Sequence, residues 1–431
     1  MTVTLLSVIL LILLFAFLGA GLWVALSLLG VGIAAMALFS NAPLGLVMAT
    51  TMWGHSNNWA LAALPLFIWM GEILFRSRVS GDLFRGLAPW MGRLPGQLLH
   101  VNVVGSGIFA AFSGSSSATC ATIGKVTLPE LKRRGYPESI SLGSLSGSST
   151  LGLLIPPSII MIVYGVAADV SIAKLFVAGI LPGIVLMLLF SGYIGLWSMA
   201  NRERLPREAE RATFRQRLAA GRYMLPALGL IALVIGSIYG GLATATEAAA
   251  LGVMGALLLS WLSGSLTRKT FGEGLMAAML SSTMILFIVA GAAFVTAALG
   301  FTGVPRALVQ WIGGLDLSPS GLIVVLTLVF LVLGCFIDGI SIVVLTTAVL
   351  LPVVEAAQID TVWFGIYLVL VVEMSMITPP VSFNLFVLQG LTGRPIGYVA
   401  WATLPFFLVM ILAVALFVLV PEIVTFLPDR M

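Results

Sequence analysis

Apolar residues in this chain come in long unbroken runs, set apart by short polar or Gly/Pro-rich punctuation rather than alternating with it. A helix of about 20 apolar residues crosses the hydrocarbon of a bilayer. On that measure the pattern predicts membrane helices near residues 3–20, 22–40, 60–77, 138–166 and 172–199, and again near 224–241, 246–264, 273–298, 361–390 and 397–421. That is ten crossings, five per half.

Between the third and fourth crossings of each half lies a longer stretch that fits no simple span. Residues 80–95, with Arg85, Pro89, Trp90 and Arg93, read as an interfacial arm with an aromatic anchor. Residues 97–132 are apolar at both ends and polar in the middle, as in a hairpin that enters the membrane, turns and returns. Residues 302–317 and 322–357 repeat this plan. Four prolines fix the register of the repeat: Pro129, Pro156, Pro157 and Pro182 recur as Pro352, Pro379, Pro380 and Pro405, each 223 residues further on. The chain therefore divides into a first repeat (1–200), a basic connector (201–222) and a second repeat (223–431). An odd number of crossings per repeat makes the two halves point in opposite directions. The expected fold is an all-α integral membrane protein of two inverted repeats, each with a re-entrant hairpin (97–132, 322–357) and a broken helix (138–166, 361–390).

Composition sharpens this. The 431 residues are 60% hydrophobic and 9% charged, against about 25% charged in a soluble domain. A net charge of +4 gives no reason to invoke nucleic acid. With both termini outside, 18 of the 21 basic residues fall on the cytoplasmic side, which sets the expected orientation. The Asn201–Arg222 connector reads as a solvated cytoplasmic loop or surface helix, or as a contact for anionic lipid headgroups or a partner subunit. The N-terminal Met1–Leu6 carries no basic residue before its apolar run and reads as the first membrane helix rather than a cleaved signal. Cys120 and Cys335 are too few for a disulfide framework, and His55 and His100 have no partner at metal-ligand spacing. No Walker-type phosphate loop, nucleophile–base pair or metal constellation suggests ATP use or catalysis.

Polar and Gly/Pro-broken segments at matching places in two halves point to a transporter's binding site. Ser144–Gly152 ahead of Ile155-Pro156-Pro157 predicts a broken helix whose freed carbonyls and hydroxyls are hard oxygen ligands. With the tip Ser113-Gly114-Ser115-Ser116-Ser117 they make an oxygen cage without a carboxylate, suited to a monovalent cation. The second half places Gly334, Asp338, Gly339 and Ser341 opposite Met376-Ile377-Thr378-Pro379-Pro380. There Asp338 is either a functional charge or a helix cap. Glu373 and Glu247 each read as a proton or sodium carrier, or as a satisfied interhelical hydrogen-bonder. Helix N-termini at the hairpin tips attract carboxylates, so an organic anion is the expected substrate, its charge offset by sodium.

The motifs Phe112-Ser113-Gly114-Ser115-Ser116, Gly152…Ile155-Pro156-Pro157-Ser158, Tyr164-Gly165 and Pro182-Gly183 carry a family resemblance, as do Asp338, Pro352, Phe364-Gly365, Glu373, Thr378-Pro379-Pro380 and Asn384. Over essentially its whole length the chain resembles the large membrane subunit of TRAP (tripartite ATP-independent periplasmic) transporters. The resemblance implies a sodium-driven elevator in the bacterial inner membrane, with a transport domain that slides against a scaffold. It also implies two partners, a small four-helix membrane subunit, not fused here, and a periplasmic binding protein that delivers an organic acid. Carried over, the first sodium site takes Ser113, Gly114 and Ser116 from the tip and Gly147, Thr150 and Pro156 from the break. The second takes Gly334, Asp338, Met376 and Thr378. The substrate is expected between the tips, against Ser115, Ser116, Ser117, Asp338 and Thr378. The competing readings are an autonomous organic-anion symporter or antiporter without a binding protein, a channel or scaffold, and a membrane enzyme.

Overall fold

The computed structural model describes residues 3–206, 213–314, 318–335, 337–379 and 382–431. Pro380, the last three residues of the second arm (315–317), and Arg207 and Arg211 of the connector lie outside the described residues.

The first repeat runs α1 (Val3–Gly19), α2 (Val24–Phe39), α3 (Leu44–Ser56), α4 (Ala63–Phe75), α5 (Val79–Met91), α6 (Leu99–Ser113), α7 (Ser116–Arg133), α8 (Glu138–Ser149), α9 (Leu151–Leu154), α10 (Ile159–Ala167) and α11 (Ile172–Ala200). After the connector helix α12 (Phe214–Gly221), the second runs α13 (Leu225–Tyr239), α14 (Ala245–Leu262), α15 (Arg268–Thr302), α16 (Val304–Gly313), α17 (Pro319–Gly334), α18 (Gly339–Ala356), α19 (Thr361–Ser375), α20 (Phe383–Thr392) and α21 (Ile396–Leu419). Helices of this series lie at the predicted crossings, arms and hairpins, and α5–α11 recur in order as α16–α21, with α8 and α9 together answering to α19.

Two elements depart from expectation. Residues 44–56, which belong to none of the predicted elements, form a helix between Pro43 and Asn57-Asn58. This helix buries none of its side chains and meets the Trp59–Phe75 segment at 56°. Its counterpart in the second half is the start of α15, which continues unbroken for 35 residues rather than the 273–298 expected. Among the described residues four helices are long and apolar enough to cross alone, and four further pairs do so across a bend.

Two contacts fix the relative direction of the broken helices. At one end Arg394, after α20, grips Glu138 at the start of α8, with Nη2–Oε2 2.6 Å. At the other the Tyr164 hydroxyl, near the end of α10, donates to the Thr361 carbonyl at the start of α19, 2.7 Å away. The start of each broken helix thus lies at the end of the other, and the repeats are inverted. Elsewhere the same symmetry shows in packing. The Phe294 ring of α15 lies over Gly32 of α2, 2.7 Å from where a Cβ would stand, while Met70 of α4 lies over Gly252 of α14, its Sδ 2.6 Å from the same point. Lipid supplies no hydrophobic drive between helices, so small residues that let neighbours approach closely carry the association.

Candidate functional site

The two hairpins end in tips that meet the breaks of the two broken helices. At the first tip α6 stops at Gly114, which adopts a left-handed φ of 54°. Ser115 then caps α7, its hydroxyl accepting from the Ala118 N–H at 3.4 Å. The Ser113 hydroxyl lies 2.7 Å from Thr119 Oγ1, which donates to the Ser115 carbonyl at 2.8 Å. This closes the turn without leaving its polar atoms bare. The opposing helix breaks between Leu154 and Ser158, with α8–α9 and α10 at 41°. Gly152 allows the contact: a Cβ there would stand 2.6 Å from the Ser115 carbonyl oxygen.

Ser116 points inward and is almost fully buried. Its hydroxyl donates to the Ser149 carbonyl at 3.1 Å and accepts from Asn384 Nδ2 at 2.8 Å, and the same amide also reaches Ser149 Oγ at 3.1 Å. Three segments from both halves therefore close on one point: the first tip, the end of α8 and the start of α20. Glu373 of α19 joins them. It is 0% exposed, and its carboxyl comes up beside Ser116 and the Leu153 backbone. Neither carboxyl oxygen, nor Asn384 Oδ1, completes a hydrogen bond.

Of the other residues expected in the first cage, Ser113 and Gly114 sit in the tip and Pro156 in the break beside it; the Pro157 carbonyl oxygen is 3.2 Å from the Cβ position of Gly114. Gly147 and Thr150 are not brought to the tip. Gly147 packs on Phe406, and Thr150 donates to the Gly147 carbonyl at 2.6 Å with its hydroxyl 3.7 Å from Met410 Sδ, so both face α21. Ser115 and Ser117 hold their hydroxyls 3.4 Å apart at the half-buried rim of the tip.

The second tip is built differently. Gly334 lies against Ser375, and Cys335 Sγ is 3.6 Å from the Pro379 carbonyl oxygen, so tip and break meet as expected. Asp338 caps α18: its Oδ2 accepts from the Ser341 N–H at 3.1 Å and its Oδ1 from the Ser341 hydroxyl. Thr378 donates to the Met374 carbonyl at 2.7 Å, and the Met376 carbonyl accepts from the hydroxyl of Ser382, the cap of α20. Glu247 closes a capping box on Thr244 of its own helix at 2.8 Å rather than bonding to another helix. Cys120 is buried and Cys335 partly so; neither forms a disulfide.

Ser149 and Asn384 are partners of Ser116 that the sequence did not single out as site residues. The available signal was an amide set two residues past the cap of a mostly apolar helix. A separate cavity of about 670 Å³ opens among α3, α10, α15 and α18, lined by Thr50, His55, Asn58, Asp169, Thr296 and Val344.

Inverted repeats with paired hairpins and broken helices define a polytopic membrane protein of the transporter class. The family described as "Tripartite ATP-independent periplasmic transporter, DctM component" matches residues 11–423, and the chain belongs to that family. It is 34% identical to the C4-dicarboxylate TRAP transporter large permease protein DctM of Rhodobacter capsulatus, over 86% of this chain and 87% of that protein. It is 31% identical to the protein of the same description from Pseudomonas aeruginosa, over 89% of each chain. It is also 31% identical to the ectoine TRAP transporter large permease protein TeaC of Halomonas elongata, over 86% of each. Among solved structures the fold is similar to the YdaH transporter of Alcanivorax borkumensis, with a TM-score of 0.61, 18% identity, and coverage of 91% of this chain and 95% of that one. The chain is thus a TRAP large permease, a multi-pass transport protein and not an enzyme.

Proposed function

We propose that this permease carries a carboxylate-bearing organic acid across the bacterial inner membrane in symport with sodium, and that it does so as an elevator. The observation that carries the reading is the pair of tips that close on the breaks of antiparallel helices: an arrangement with two equivalent but opposite openings supports alternating access. The transport body would hold α6–α10 and α17–α20. The scaffold would hold the glycine-packed α2, α4, α14 and α15.

The two tips suggest separate roles. An N-terminus of an α-helix draws anions through its free N–H groups and dipole. At the start of α18 that place is already taken by the Asp338 carboxylate, so an added carboxylate there meets like charge while a cation is welcomed. At the start of α7 the cap is the neutral Ser115, with Ser117 beside it. We therefore seat the substrate carboxylate against Ser115 and Ser117, with Ser116 behind them. One sodium lies with Gly334, Asp338, Met376 and Thr378, and another in the first cage with Ser113, Gly114, Ser116 and Pro156. The names of the relatives, C4-dicarboxylate and ectoine permeases, point to small carboxylates.

Both termini lie in the periplasm on this reading, and the small membrane subunit and a periplasmic binding protein complete the machine. The test is uptake of labelled organic acids into proteoliposomes holding this chain, its small subunit and the cognate binding protein, with and without an inward sodium gradient. Uptake that needs both sodium and the binding protein is the expected result. Uptake without the binding protein would replace the tripartite reading with an autonomous symporter.

A further inference from the structure

We propose that Glu373 and Asn384, both from the second repeat, complete a sodium site at the tip of the first hairpin, so that the first cage is built from both halves and carries a carboxylate. This deepens the sodium reading above and rests on it. The observations are geometric. Glu373 is fully buried with both oxygens unpartnered, and Asn384 spends its amide N–H groups on Ser116 and Ser149 while its Oδ1 remains unpartnered and buried. Buried polar atoms are almost always satisfied, and an isolated carboxylate in an apolar interior is costly. Three unsatisfied oxygens, all acceptors when the carboxylate is ionised, gathered around one serine describe a place for a cation rather than for another donor. The nearby serine hydroxyls are already committed, Ser116 Oγ to the Ser149 carbonyl and Ser149 Oγ to the Ser146 carbonyl at 2.7 Å. This leaves the Leu153 N–H as the backbone donor closest to the carboxyl, without a completed bond to it.

The internal repeat offers a control. With the offset of 223, Ser116, Ser149 and Asn384 correspond to Gly339, Val372 and Met161, and Glu373 corresponds to Thr150. Three of these four equivalents carry no polar side chain, and Gly339 packs on apolar neighbours: a Cβ there would stand 2.7 Å from Val372 and 3.3 Å from Ile160. Packing at the Gly339 position of the second tip needs no polar atoms, and the polar groups elsewhere at that tip, on Asp338, Ser341, Ser375 and Thr378, are hydrogen-bonded. The unpartnered oxygens at the first tip call for a ligand. Hard oxygen donors with a single carboxylate suit sodium rather than a transition metal.

The experiment measures thermal stability and binding of radiolabelled sodium in the purified complex of this chain with its small subunit, in sodium or choline chloride at constant ionic strength. A ligand that binds only the folded state raises its stability. The wild type is expected to gain stability with sodium. Glu373→Gln is expected to be at least as stable as wild type in choline, since it removes an unpaired buried charge, yet to bind sodium at least about tenfold more weakly. Asn384→Ala should weaken binding in the same way. Wild-type sodium affinity in Glu373→Gln overturns the inference while the sodium-coupled reading stands. A wild type that is indifferent to sodium in binding, stability and uptake overturns both. A Glu373→Gln protein that loses stability equally in both salts shows a packing role and also overturns the inference.

Discussion

The two hairpin tips occupy equivalent positions in the repeat, yet they are stabilised in opposite ways. The first is neutral in itself and is held from outside, by Ser149 and Asn384 reaching Ser116 across the break. The second carries its own charge, Asp338, and spends it within the turn on Ser341. A tip tied to its neighbours by buried hydrogen bonds opens only when those bonds are given up; a tip capped on itself separates from the neighbouring break with its own bonds intact. The first tip is thus hydrogen-bonded to the second repeat, whereas the charge of the second is capped within its own turn, although backbone symmetry alone treats both alike.

Substitutions can break or sharpen that contrast. The largest effect is expected from Gly152→Val, whose side chain has no room beside the Ser115 carbonyl. Overpacking of this kind costs roughly 1–3 kcal/mol, and uptake should be lost along with a fall in melting temperature. Next comes Asp338→Asn. Asn caps a helix about as well as Asp, so folding should be kept while sodium-driven uptake is abolished; full uptake by this variant would reduce Asp338 to a cap. Ser116→Ala strips the first tip of its link to Ser149 and Asn384 and should cost about 1 kcal/mol, with uptake weakened but measurable. The smallest effect is expected for Glu138→Gln, which cuts the exposed ion pair with Arg394. Such pairs contribute about 0–1 kcal/mol, and a melting curve should barely move.

Much of this architecture was legible in the sequence because membrane spans need long apolar runs and because Pro-Pro pairs at a fixed offset set the register. The hairpins, arms and broken helices follow from those two facts. What escaped did so for physical reasons. The helix at 44–56 has flanking turn residues and little apolar contrast, since neither face is buried. Gly147 and Thr150 belong to the right segment, but a helix turns 100° per residue, so near neighbours of Ser149 face α21 rather than the tip. Asn384 lies 268 residues from Ser116, a contact that only the inverted packing of the halves brings about.

The unbroken α15 has a further consequence. After its charged start at Arg268, Lys269 and Glu273, the apolar remainder up to Phe301 is roughly 42 Å long at 1.5 Å per residue. A hydrocarbon layer is about 30 Å thick, and a helix too long for it leans over. Leaning to fit would take about 45°, and the angle would change with every ångström of lipid. Since α2 packs against it with Phe294 over Gly32, any change in that lean has to be followed or resisted at this contact.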